Sequence, residues 1–242
     1  MQLRNKHFLA GTVPALAVLL ACVVALAACG QQGGAQGSSD GSASSLGQAQ
    51  ASSGIIESVA DDDPYGTGVH HATIEVEGYG TIEVALNANV APITVSNFCR
   101  LANEGFYDGL TFHRVIEGFM IQGGDPNGDG TGGSGQCIKG EFSANNVKNS
   151  LPHTRGTISM ARSQTYNSAS SQFFIMQKDT DSLNGNYAAF GNVTSGMDVV
   201  DAVCQNTPVT DSNGTVPKES QPRSPGLPSR TRPCGRGEAQ LV

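Results

Sequence analysis

Tryptophan is missing from this 242-residue chain, aromatic residues make up only 6% of it, and charged residues only 14%. So little charge and aromatic mass is unusual for a chain that is folded from end to end, and 31 glycines gather in a leading segment and in loops. The folded part is therefore shorter than the chain, one or two domains at most. Positive charge is scarce as well. Lys and Arg total 14 against 21 acidic residues, a net charge of −7, and Arg114 and Arg162 stand alone rather than in a stripe. A basic face supplies most of the affinity for nucleic acid, so nucleic acid is not an expected partner. The six cysteines show neither C-x-x-C nor Cys/His ligand spacing, and neither metal nor cofactor is expected. Cys99, Cys137 and Cys204 read as small buried apolar residues. A disulfide between two of them stays open if the domain lies outside the cytoplasm.

What is present first is an address. Arg4 and Lys6 precede an apolar run from Phe8 to Ala28, and Leu26-Ala27-Ala28-Cys29 fits the bacterial lipoprotein signal. Residues 1–28 are read as a signal peptide, with lipid on the sulfur of Cys29 and the domain held at the extracytoplasmic face of the cell membrane. An uncleaved transmembrane anchor is the alternative, and it places the domain on the same side. Residues 29–69, rich in Gly, Ser, Ala and Gln, read as a flexible tether. The domain is expected over residues 70–222.

Within it, strands dominate. Thr73–Glu77 and Thr81–Leu86 alternate around Gly78-Tyr79-Gly80, which predicts a hairpin. Pro92 opens a helix to about Asn103, with Val95, Phe98, Cys99 and Ala102 at helical spacing and Gly105 beyond its end. Phe112 to Gln122 predicts two more strands around Glu117-Gly118. A second helix is expected from Met197 to Val203. Asp125-Pro126-Asn127-Gly128-Asp129-Gly130 imitates the start of a calcium loop, but position 12 is Gln136 rather than Glu. Gly128, Gly130 and Gly133 fit G-x-G-x-x-G, yet no amphipathic helix follows. His70-His71 reads as a chance pair at the domain edge.

The stretch from Phe112 to Asp125 sets one arginine between apolar runs, followed by Gln122 and a glycine pair. It holds no serine or cysteine nucleophile and no carboxylate pair, so it suits gripping and polarising a chain rather than attacking it. With Gly130-Thr131-Gly132-Gly133, Lys139-Gly140-Glu141-Phe142, Gly156–Ala161, Ser170–Ile175 and Leu183–Gly191, in this order, the chain from about His71 to about Pro222 resembles the cyclophilin family of peptidyl-prolyl cis-trans isomerases. The resemblance implies a mainly β fold, a closed antiparallel eight-stranded barrel capped by two helices. It implies a proline-containing polypeptide as substrate, with Arg114 and Gln122 as catalytic residues. Phe119, Met120, Ala161, Gln172, Phe174, Leu183 and Tyr187 would bind the substrate. A monomer is expected. Tyr187 stands where the best-known eukaryotic members carry histidine, and Ser182 where they carry tryptophan, which puts recognition of cyclosporin-like cyclic peptides in doubt. The Tyr187–Gly191 form and the longer loop from Arg162 to Ala169 look like bacterial members. The leading expectation is an isomerase that assists folding of exported proteins. The rival is a non-catalytic peptide-binding lipoprotein that keeps the groove.

The end of the chain departs from the family. Residues 223–242 hold Pro225, Pro228 and Pro233, three glycines, and four of the nine arginines. Prolines this dense do not make a strand inside a sheet. The stretch reads as a disordered tail, either natural or created by a frame change near residue 222, in place of the last barrel strand.

Overall fold

A computed structural model of the chain describes residues 54–225 and 235–236. Cys29, the expected signal peptide, most of the tether and most of the tail lie outside the described residues. Alternating sequence becomes alternating burial in the first hairpin. Strand β1 (Val69–Val76) pairs with β2 (Gly80–Asn87), and Ile74, Val76, Ile82, Val84 and Leu86 all point into the core. Helix α1 (Pro92–Asn103) begins on Pro92, whose missing N–H costs nothing at a helix start. It has no local side-chain cap. The buried Glu141 carboxylate serves instead, accepting the N–H of Ile93 at 3.0 Å and of Thr94 at 2.8 Å. Burial raises the pKa of Glu141, against the pull of its hydrogen bonds from Thr94.

Strands β3 (Thr111–Ile116), β4 (Met120–Asp125), β5 (Thr157–Met160), β6 (Phe173–Met176) and β7 (Ala189–Ser195) follow, then helix α2 (Met197–Asn206) and a two-residue β8 (Gly235–Arg236). All pairings are antiparallel, in the order β3-β4-β6-β5-β7-β2-β1-β8. Gly123 and Gly124 permit a close approach: a Cβ on Gly123 would meet the Thr111 carbonyl at 2.9 Å, and one on Gly124 the Ser171 carbonyl at 2.5 Å. The main core runs through Ile82, Leu86, Ile121, Ile158, Ile175 and Phe190, with Cys99 and Cys204 among its small fillers. Burial pushes the Cys204 thiol up to about 12.

Three expectations need correction. The fold is mainly β with two helices and, as the tail composition predicts, lacks the family's last barrel strand, so that among the described residues the closed eight-stranded barrel implied by the resemblance is not formed. Its ends are β3 and β8, and a stub spans the gap: the Phe112 N–H donates to Pro222 O at 2.9 Å, and the Glu77 N–H to Arg223 O at 2.8 Å. A groove of about 400 Å³ lies along this stub, lined by Glu77, Tyr79 and residues 218–223. The second correction concerns the tail. Residues 223–224 hydrogen-bond to Glu77, Gly109 and Leu110, and Gly235–Arg236 pairs with His70–His71, so the tail is not wholly apart from the sheet. The third concerns the tether. Ile56 forms a parallel bridge with Ile138, and Ile56, Val59 and Tyr65 pack against the core. The Ser96 hydroxyl donates to Asp63 at 2.6 Å. The end of the expected tether, from Ile56 to Tyr65, therefore packs on the domain instead of standing apart from it. The apolar residues Ile55, Ile56 and Val59 were the signal that the low-complexity stretch had already ended.

Candidate active site

Period-two alternation splits the sheet into two faces. On β6, Phe173 and Ile175 join the main core, while Phe174 and Met176 point the other way. On β4, Ile121 faces in and Met120 faces out. Met120, Phe174, Met176 and Leu183 form a second, separate apolar cluster, with Ile116, Phe119, Ala161 and Tyr187 packed against it. Every apolar residue expected to bind substrate is in this cluster or packed against it. That placement turns on one residue of register, since a slip would send the set into the main core.

Beside the cluster runs a polar row. Arg114 on β3 is the register partner of Gln122 on β4, which is the register partner of Phe174 on β6. Arg114 Nη1 donates to Gln122 Oε1 at 3.2 Å, and Arg114 Nε to Asn213 O at 2.7 Å. Gln122 Nε2 donates to Gln172 Oε1 at 2.9 Å. Gln172 Nε2 in turn donates to Gly130 O at 3.0 Å and Gly132 O at 2.8 Å. One chain of hydrogen bonds thus links the guanidinium to the glycine-rich loop. Gln172 spends its amide on ordering the groove.

The loop is shaped by Asp125. Its buried carboxylate accepts the N–H groups of Asn127, Asp129 and Gly130 at 2.8, 3.1 and 2.5 Å. The acid that opens the calcium-like motif is occupied in turning the backbone. Beneath the loop, His113 is buried and its pKa is lowered, chiefly by burial, with Arg114 adding to the effect and Asp125 opposing it.

Sequence reasoning missed His153. It is buried, its Nε2 lies 3.0 Å from Ser159 Oγ, and its ring stacks on Phe174 at 6.0 Å and 19°. Burial lowers its pKa, opposed by the hydrogen bond to Asn184. It also missed how Phe174 sits. Expected among the substrate-binding residues, Phe174 is only 5% exposed and forms the floor of the cluster. Tyr187, half-buried, meets Phe174 edge-on at 5.8 Å and 85°. Phe119, Ala161 and Tyr187 form the accessible rim, and Met120, Phe174 and Leu183 lie below it. The arrangement offers a fixed cation, amide groups and an apolar depression side by side. It can hold a small apolar ring and direct a hydrogen bond at a neighbouring amide.

Known proteins resemble this chain. Residues 71–222 match the family model described as "Cyclophilin type peptidyl-prolyl cis-trans isomerase/CLD". The chain is 47% identical over 146 residues to "Peptidyl-prolyl cis-trans isomerase B" of Bacillus subtilis, covering 60% of this chain and 92% of that one. It is 49% identical over 120 residues to a peptidyl-prolyl cis-trans isomerase of Synechococcus elongatus, covering 50% and 77%. The crystal structure of a cyclophilin type peptidyl-prolyl cis-trans isomerase from Cryptosporidium parvum superposes with a TM-score of 0.58 at 30% identity, over 66% of this chain and 96% of that one.

Proposed function

The chain belongs to the cyclophilin family of peptidyl-prolyl cis-trans isomerases, and from that premise we propose that it speeds rotation about X–Pro bonds in exported polypeptides, with Arg114 as the key donor. Amide resonance sets a barrier of about 18–20 kcal/mol. No covalent bond need break, so the task is to stabilise the twisted amide, whose nitrogen turns pyramidal and gains a lone pair. A guanidinium aimed at that nitrogen is a preorganised donor, and it accelerates rotation only if it fits the twisted state better than either planar one. The observation that carries this reading is the bonding of Arg114. It is held from one side by Gln122 and from the other by Asn213 O, beside an apolar cluster distinct from the core. The proline ring would rest against Phe119 and Tyr187 above Phe174, Met120 and Leu183, with Ala161 at the rim. Gln122 and Gln172 would hold the guanidinium and the groove in register.

The cellular setting is part of the same proposal. The signal pattern ending in Cys29 supports a lipid-anchored protein on the outer side of the membrane, with residues 30–53 as the tether. Such a protein would act as a monomer on emerging chains.

Catalysis is tested in a protease-free assay on a proline-containing peptide. The folded protein should shorten the relaxation time in proportion to its concentration, and a folded protein with no effect would overturn the isomerase reading. Anchoring is tested by fatty-acid labelling in cells. Label should enter the chain and be lost in Cys29→Ser, and unlabelled protein in the cytoplasm would overturn the lipoprotein reading.

A further inference from the structure

Arg162 lies two residues past the end of β5, next to Ala161, and its guanidinium is enclosed by three aromatic rings. Its central carbon sits 4.7 Å from the ring centre of Tyr187, 5.0 Å from Phe142 and 5.2 Å from Tyr166. Its nitrogens are fixed as closely. Nε and Nη2 donate to Asn186 O at 3.0 and 2.8 Å, and Nη1 donates to Ser163 O at 2.9 Å. Neither of the two ion pairs among the described residues uses it. A planar cation held by carbonyls and ring faces has a defined orientation, which a flexible ammonium would lack.

We propose that Arg162 is a positioning residue for the proline pocket: by stacking on Tyr187 and binding the Asn186 carbonyl it holds the Tyr187 ring edge-on to Phe174. Tyr187 is the half-buried aromatic at the rim, and it also meets His153 edge-on at 6.4 Å. The loop that carries it enters and leaves through 184–188, with no regular strand until Ala189. The ring's position therefore depends on what pins it from outside, and Arg162 does so on both the ring and the preceding peptide. Phe142, anchored in the main core, and Tyr166, on the 163–168 loop, keep the guanidinium from turning away. The proposal rests on the isomerase reading above. A wall that is present before the substrate arrives improves binding of planar and twisted amides alike, so it acts mainly on KM.

The test compares the full chain with Arg162→Ala, Arg162→Lys, Tyr187→Ala and the Arg162→Ala/Tyr187→Ala double variant in peptide isomerisation. Tyrosines carry 3-fluorotyrosine for 19F NMR, with Tyr187→Phe assigning the signal. Arg162→Ala should lower kcat/KM about five- to tenfold, mainly through KM, and should move the Tyr187 signal. Arg162→Lys should recover part of the loss. In the Tyr187→Ala background the same substitution should cost less than about twofold, because Arg162 acts through that ring. Equal losses in both backgrounds, or no loss beside a wild-type chain that is active, would overturn the proposal alone. A folded wild-type chain that does not isomerise the peptide would overturn the isomerase reading, and with it this proposal, even if the Tyr187 signal still moved.

Discussion

Arg114 and Gln122 are register partners on adjacent strands, joined by a 3.2 Å hydrogen bond from the guanidinium to the amide oxygen. Eight residues apart in sequence, they are brought together by the hairpin turn around Gly118. Gln122 then opposes Phe174, so the polar row and the apolar cluster share one surface.

The first prediction follows from this pair. Arg114→Ala should lower kcat about 10²–10³-fold, the usual loss on removing one preorganised donor. Its urea midpoint should stay near that of the parent, since the side chain is half-exposed. Near-normal turnover in a folded Arg114→Ala protein would remove Arg114 from the mechanism.

Phe174→Ala should cost both activity and stability. Its ring is buried and sandwiched between His153 and Tyr187, so truncation should destabilise by about 3–5 kcal/mol. Urea unfolding measures it, and a loss under about 1 kcal/mol would mean that the cluster collapses onto the gap.

The N-terminal arm should matter as much as a core strand. A chain starting at residue 61 loses Ile56 and Val59, and with Ile56 the hydrogen bonds to Cys137 and Lys139. It should unfold about 2–4 kcal/mol more easily than one starting at residue 54. Equal urea midpoints would return this segment to the tether.

Stability should fall in acid. Burial lowers the pKa of His113, whose charged neighbours are Asp125, Arg114 and Asp129, and of His153. Both are held neutral in the fold. Below about pH 6.5 the unfolded chain takes up protons that the fold resists, so stability is complete above that pH and is lost as pH falls towards the depressed folded values. Urea midpoints at pH 7.5 and 5.5 should differ, and replacing both histidines with glutamine should shrink the difference. An unchanged difference would assign the acid sensitivity to carboxylates.

The edge of β1 should exchange in a two-residue rhythm. The Ala88 N–H donates to Gly68 O, so in this register the even residues of β1 bond to β2 and the odd ones face the gap. Amides of Thr73 and Glu75 should exchange quickly, and those of Ile74 and Val76 slowly. Uniform protection would mean that a further segment completes the sheet there.

The sequence by itself determined the elements and the face each residue takes. Apolar alternation set the β1–β2 hairpin, Pro92 and helical spacing set α1, and the order of motifs set the family and with it the expectation that Arg114, Gln122 and the apolar residues near them form the site. These features are local, or repeat at a period that one strand or helix dictates. Only the tertiary structure decided the rest. It packed Ile56 on Ile138, buried Phe174 against His153, joined Gln172 to the glycine loop, enclosed Arg162 in three rings, and left the sheet open between β1 and β3. Each of these contacts joins segments far apart in the chain, where no periodicity links the partners and only the folding of the whole sheet brings them together.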